Sequence, residues 1–373
     1  MSAPDPSSLL VRYRLALPNG ESAKARALGL ACEQTSELTP DLVPASAEPY
    51  LGRVLGVESI EPGVALATIA LPAAAAWGDL AQLLVLLFGN ASLQPGVRVE
   101  AVEWPADLLA RFIGPAFGID GLRELAGVRE RRALLCGAVK PLGLSSAELA
   151  ERAGALARGG ADLIKDDHGI ADPPSSPFAE RIARCQEAVT RANQKTGGST
   201  LYVPNLAGPA ASLAGRIERL REIGCRAALV APLVLGLETV REIAAGSGLA
   251  LLAHPALAGA FFSPAHGIAP EILLGDLFRM AGCDAVIYPH EGGRFPFPAA
   301  WSGALAAHLR GPLGGLRPTF PVPAGGIAAG RVPELLREMG PDTIFLIGSA
   351  LYGAPDLERA TAEVASAIRG RTE

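Results

Sequence analysis

Lysine is scarce in this chain. Four occur among 373 residues, Lys24, Lys140, Lys165 and Lys195, although lysine and arginine together number 33. Arginine stays charged near neutral pH, so chemistry that needs an amine able to lose its proton has few candidates here. Cysteine is sparse as well: five are scattered, with an odd total and no CxxC pair. That excludes a disulfide framework and a cysteine-based zinc site, and a reducing cytoplasm is the expected setting. The most apolar run, Leu80 to Phe88, is too short to span a bilayer. The segment Met1-Ser2-Ala3-Pro4-Asp5-Pro6 shows neither the basic nor the apolar region of a signal peptide. A net charge of -5 gives no reason to expect nucleic acid or an anionic membrane as partner. Aromatic residues are 5% and apolar residues 49%, the latter mostly Ala, Leu and Val, as in a closely packed α/β protein.

From Leu134 onward, short apolar runs alternate with longer amphipathic stretches. Strands are expected over Leu134–Val139, Ala161–Lys165, Thr200–Pro204, Arg226–Ala231, Leu249–His254, Asp284–Tyr288, Thr319–Pro323 and Thr343–Ile347. Helices are expected between them, over Ser146–Arg158, Pro177–Gln194, Pro209–Ile223, Pro270–Ala281 and Val332–Met339. Eight such units match a (β/α)8 TIM barrel over residues 116–373. An open doubly wound sheet could use the same alternation, but no GxGxxG follows the first strand. Residues 1–115 read as a small α+β, ferredoxin-like domain. Strands are expected there at Arg12–Leu17, Arg26–Ala31 and Val64–Ala70, with a helix at Trp77–Phe88. The Gly- and Pro-containing turn Ile113–Ile119 is the expected junction.

A barrel gathers its chemistry where the strands end. The first strand delivers Lys140, the second Lys165, Asp167 and His168, the third Asn205 and the fifth His254. The sixth gives His290, Glu291 and Arg294, the seventh Gly325 and Gly326, the eighth Gly348 and Ser349. Lys165 and Asp167 are two apart and share a face of an extended backbone. Two readings stand for this segment. Lys165 pairs with Asp166 or Asp167 as a plain ion pair while His168 caps the loop, or Lys165 carries a CO2-derived carbamate that joins Asp167 in holding a hard cation such as Mg²⁺. The glycines after the seventh and eighth strands let backbone N–H groups approach an anion, so a phosphorylated substrate is expected. His308 reads as a packing residue in a helix over Ala299–Leu309, and His266 as a loop residue that could line the mouth.

Together these segments resemble the RuBisCO large-subunit superfamily. Leu135-Cys136-Gly137-Ala138-Val139-Lys140-Pro141-Leu142-Gly143-Leu144-Ser145 is similar to its first barrel strand with the proton-abstracting lysine. Lys165-Asp166-Asp167 resembles its carbamylated lysine and metal-binding aspartate. Leu87-Phe88-Gly89-Asn90 and Glu33 resemble N-domain residues that reach a neighbouring subunit's site. Gly114-Pro115-Ala116-Phe117-Gly118-Ile119 resembles the junction, His254 a catalytic histidine, and Gly325, Gly326 and Gly348 the phosphate loops. The resemblance implies a homodimer or larger assembly with active sites between subunits.

The departures point away from carboxylation. Carboxylating members use a lysine on the loop after the sixth strand; here Arg294 occupies that neighbourhood. A second lysine after the first strand is Leu142, and a second phosphate side has lost an arginine to Pro255, a histidine to Ile287 and a serine to Ala324. That favours a substrate with one phosphate, as in RuBisCO-like, form IV proteins. His168 stands where the family has a glutamate ligand. It either ligates, which would shift preference toward Mn²⁺, or leaves its place to water. The resemblance implies an isomerase or lyase that enolises a sugar monophosphate or related keto compound. A decarboxylase acting through the same enolate, and a non-catalytic phosphate-sugar binder, are the alternatives.

Overall fold

The computed structural model describes residues 7–370. The N-terminal sheet contains β1 (Ser8–Ala16), β2 (Arg53–Glu61), β3 (Val64–Pro72) and β4 (Val97–Glu103). Helices Ala23–Glu33 and Leu80–Phe88 follow β1 and β3. The antiparallel order β4-β1-β3-β2 is the ferredoxin-like arrangement. The expected strand at Arg26–Ala31 is instead part of helix Ala23–Glu33. The Ser22 side chain accepts a hydrogen bond from the Ala25 N–H and caps it, and Ala27, Leu30 and Ala31 bury the spacing of one helical face. Two strands of this sheet escape the sequence reading. β2 is an edge strand, largely exposed and irregular in register, so it lacks a clean alternation. β4 does alternate, as Val-Arg-Val, but over few residues.

The second sheet holds β5 (Leu134–Val139), β6 (Leu163–Asp166), β7 (Leu201–Val203), β8 (Ala227–Val230), β9 (Ala250–Ala253), β11 (Ala285–Pro289), β12 (Phe320–Ala324) and β13 (Ile344–Leu346). All eight pair in parallel, each within two residues of its expected bounds. The Leu206 N–H donates to Leu229 O and the Leu229 N–H to Pro204 O, each at 2.8 Å, which joins β7 to β8 and closes the barrel. The remaining strand, β10 (Gly267–Ile268), leaves the barrel to pair with β4 of the N-terminal sheet. The stretch expected as helix Pro270–Ala281 forms a π-helix at Glu271–Leu277 and continues as α-helix at Phe278–Met280. Among the described residues, no helix is long and apolar enough to cross a membrane.

Strand parity places the site. Leu134, Cys136 and Ala138 of β5 join Leu163, Val203, Leu229, Leu252, Ile287, Val322 and Leu346 in one apolar cluster. Their neighbours Leu135, Val139, Ile164 and Tyr202 belong to the layer between strands and helices. Ile119 and Leu122, on helix Gly118–Leu125, belong to the interior cluster at the N-terminal ends of the strands. Asp284 fastens this plug: its carboxylate accepts the Phe117 and Gly118 N–H groups at 2.7 Å and the Leu251 N–H at 2.8 Å. Continuing each interior row past the C-terminal strand end gives Lys140, Lys165 and Asp167, Asn205, His254 and Gly348. The period of two in a strand therefore brings these residues to one mouth.

Candidate active site

Adjacent residues at the end of β6 face opposite ways. Lys165 is buried, and its ammonium donates to Asp166 O at 3.0 Å. Burial pushes its pKa below that of an ordinary lysine, against the opposing pull of nearby Cys136, Asp167 and Asp166. Asp166 points outward instead, fully buried, and accepts from Arg181 Nε at 3.0 Å, Tyr202 OH at 2.6 Å and the Asn205 N–H at 3.1 Å. Arg181 is itself fully buried and donates to the carbonyls of Ile170, Ala171 and Ser176. The Asn205 amide donates to His168 O and Ile170 O. This braces the turn that carries Asp167 and His168, and it leaves the Asn205 amide no hydrogens for a ligand.

Asp167 Oδ1 accepts the Gly169 N–H at 3.0 Å and lies 3.4 Å from His168 Nδ1. The half-exposed His168 ring stacks on His254, with centroids 3.9 Å apart and planes 13° from parallel. Burial, reinforced by Lys165 and His168, pushes the His254 pKa down to about 2, so this imidazole is neutral. Among the described residues its buried Nδ1 has no hydrogen-bond partner. At the neighbouring strand end, a Cβ on Gly348 would lie 2.8 Å from Lys140 Nζ, so the glycine lets the amine lie against the backbone. Ser349 follows, exposed at the start of a short helix. Gly325 and Gly326 have φ of 88° and 70°, and a Cβ on Gly326 would meet Gly292 O at 2.5 Å. The loops after β11 and β12 can touch only because glycine is there.

Other expected residues lie apart. Arg294 is exposed, its guanidinium over the Phe295 ring at 5.9 Å, and among the described residues it has no ion-pair partner. His290 is buried with Nδ1 unpartnered, 3.8 Å from Glu291 through Nε2. His266 contacts Ser92 O and the Phe88 ring of the N-terminal domain. His308 accompanies Asp276, which also accepts from Trp104 Nε1 at 2.7 Å. Asn90 donates to Glu33 at 2.9 Å and to Glu37 at 3.1 Å. Among the described residues, neither Asn90 nor Glu33 bonds to a barrel-end side chain of its own chain. The sequence reading missed Arg181, although it interrupts the buried stripe Phe178, Ile182, Cys185, Val189, and an arginine in such a stripe signals a buried acid.

The residues fit a divalent cation on one condition. Asp167 Oδ1 and His168 Nδ1 are close enough for one ion to hold both at ligand distances of about 2.0–2.2 Å. Among the described residues no three His, Cys, Asp or Glu side chains converge on such a point. Beside them stands Lys165, whose burial favours the neutral amine, the form in which it would take up CO2 and become a third, anionic donor.

Known proteins resemble this chain along most of its length. Residues 118–293 match the family model for the ribulose bisphosphate carboxylase large chain, catalytic domain. A 5-methylthioribulose-1-phosphate isomerase from Rhodospirillum rubrum is 41% identical, over 94% of this chain and 93% of that protein. The chain belongs to the RuBisCO-like proteins. The crystal structure of the Rubisco-like protein from Rhodopseudomonas palustris superposes on this one with a TM-score of 0.89 and 41% identity, covering 100% of this chain and 99% of that one. A 2,3-diketo-5-methylthiopentyl-1-phosphate enolase from Geobacillus kaustophilus is 32% identical over 90% of this chain and 85% of that protein. In this RuBisCO-like chain the loop after β11 carries Arg294 and no lysine.

Proposed function

We propose that this chain enolises a phosphorylated keto sugar and does so as an isomerase, without carboxylation. The observation that carries the reading is the convergence of Lys140, Lys165, Asp167 and His254 at one barrel mouth whose sixth-strand loop offers no lysine. The two curated relatives compared above are named for substrates with one phosphate and at least one carbonyl. The greater identity lies with the isomerase, so isomerisation is preferred to the enolase reaction.

Asp167, His168 and carbamylated Lys165 would hold Mg²⁺ or Mn²⁺, which when bound polarises the substrate carbonyl and stabilises charge developing on its oxygen. Lys140 Nζ accepts the α-proton as a neutral amine and returns one to the neighbouring carbon. His254, kept neutral, offers a hydrogen bond to a substrate oxygen without adding charge. Backbone N–H groups at Gly325, Gly326, Gly348 and Ser349 receive the phosphate, with Arg294 at the rim. Asn205 serves by holding the turn that presents Asp167. Glu33 and Asn90 complete the site of a second subunit, so the working unit is a homodimer or a multiple of one.

The test follows deuterium from D2O into 5-methylthioribulose 1-phosphate by NMR, with Mg²⁺ and bicarbonate supplied. Exchange and isomerisation are expected in the parent, and both should vanish in Lys140→Ala and Lys165→Ala. Parent-like turnover by Lys165→Ala without added CO2 would sink the carbamate assignment. Absence of exchange in the parent, with this compound and with 2,3-diketo-5-methylthiopentyl 1-phosphate, would sink the function.

A further inference from the structure

A lysine side chain is flexible, and an amine that must meet one carbon needs something to limit where it goes. Lys140 is limited from two neighbouring elements. On helix Ser146–Arg158, which follows β5, Arg152 Nη1 donates to Lys140 O at 2.8 Å. On the short helix Ser349–Tyr352, which follows β13, the Tyr352 hydroxyl donates to Ala138 O at 2.9 Å, two residues before the lysine. The Tyr352 ring has the Lys140 ammonium 6.0 Å from its centre and the Arg152 guanidinium at 5.2 Å. The backbone of Gly348 lies against the same ammonium. The first and last βα units of the barrel, which meet where β5 pairs with β13, thus converge on one amine.

We infer that Arg152 and Tyr352 are positioning residues for Lys140: Arg152 pins the strand end that carries it, and the Tyr352 ring gives its ammonium one aromatic face on which to rest. The assignment rests on the reading of Lys140 as the proton acceptor. The two side chains act on the amine in opposite senses. An aromatic face favours the charged ammonium, whereas a neighbouring guanidinium opposes it. Lys165 and His168 also face Lys140 from the next strand end, and Glu151 shares the cleft of about 740 Å³ that Arg152 and Tyr352 line. All three stay in place when Arg152 or Tyr352 is replaced, so a change in the amine is traceable to the residue removed.

The experiment uses the scarcity of lysine. Reductive ¹³C-methylation of the full chain labels at most four side chains besides the terminal amine, and Lys140→Arg identifies the Lys140 signal by NMR. Without metal or substrate, ¹³C relaxation of that signal is expected to show a freer Lys140 side chain in Tyr352→Leu and in Arg152→Gln than in the parent. In unlabelled enzyme, Tyr352→Leu is expected to lower kcat roughly 10- to 100-fold, the scale of a misplacement of about 1 Å. Its KM should stay within about threefold, and Tyr352→Phe, which keeps the ring, should retain most of kcat. A Lys140 signal equally mobile in parent and both variants overturns the inference, as does a Phe variant as impaired as the Leu variant. Parent-like exchange by Lys140→Ala would instead overturn the choice of base, while the relaxation measurement still judges the positioning.

Discussion

Arg181 gives the most direct test of how the fold holds the site. Its guanidinium lies between helix Phe178–Thr196 and the turn after β6, fully buried, with four hydrogen-bond acceptors: Asp166 Oδ2 and the carbonyls of Ile170, Ala171 and Ser176. Arg181→Met keeps most of the volume and removes every donor. Breaking a buried ion pair from one side costs about 3–5 kcal/mol. Asp166 retains the Tyr202 hydroxyl and the Asn205 N–H, so the lower end, about 3 kcal/mol, is expected. Adding Asp166→Asn to Arg181→Met should recover about 1 kcal/mol, because the stranded charge is then gone. Urea unfolding followed by circular dichroism measures both. The function should respond too: Ile170 and Ala171 close the turn bearing Asp167 and His168, and loss of such support weakens a metal site about 10- to 100-fold. Calorimetric titration of Mn²⁺ in the presence of bicarbonate reads that loss. A destabilisation below 1 kcal/mol, or an unchanged affinity in a destabilised variant, would refute the claim that this buried pair orders the site.

Other expectations concern the assembly, the metal and pH. Lys165→Ala and Asn90→Ala should each be inactive alone, yet unfolding and refolding them together should restore about a quarter of parent activity, since a mixed dimer holds one intact site; no recovery would place Asn90 outside the neighbour's site. His168→Glu should raise affinity for Mg²⁺ relative to Mn²⁺ in calorimetric titrations, because a carboxylate replaces a nitrogen donor; an unchanged ratio would mean that His168 does not ligate. The hydrogen bond that His308 donates to the Asp276 carboxylate raises the His308 pKa above its ordinary 6.5. A raised pKa in the folded state means stability that is present in full below about pH 6.5 and lost as pH climbs through the raised value. Thermal unfolding across pH 6–9 should show that slope in the parent, and His308→Gln should flatten it; a parallel slope in both would exclude the pair as its source.

What could be read from the sequence followed from burial. The barrel strands are covered on both faces, so most of them appear as unbroken apolar runs such as Ala227–Val230, and the residues beyond lie where parity puts them. The N-terminal sheet is one-sided and small. Its edge strand β2 shows little apolar pattern, and the helix Ala23–Glu33 is short, rich in alanine and only partly buried, so Arg26–Ala31 passes for a strand. Within the site, residues on strand ends were legible because spacing alone aligns them. Arg152, Arg181 and Tyr352 were not. They act across 5 to 214 residues of sequence, mostly through contacts that exist only once the barrel strands and helices have packed.

The charge balance at the mouth ties the departures together. In the proposed ligand set, the family's glutamate beside its aspartate and carbamate would put three anionic groups around a dication and leave the centre negative; with His168 there would be two, and the centre would be neutral. A more positive centre draws more strongly on electrons at a carbonyl oxygen, and it also favours the neutral form of nearby amines. Lys140 and Lys165 are the lysines at this mouth, and proton transfer from carbon needs one of them neutral. Carboxylation needs a further amine to meet a second gaseous substrate, and the loop after β11 offers Arg294, which cannot give up its proton. The replacement of Glu by His and the absence of that lysine therefore act in one direction. Both favour moving a proton between neighbouring carbons and leave nothing to direct CO2 onto the enolised carbon.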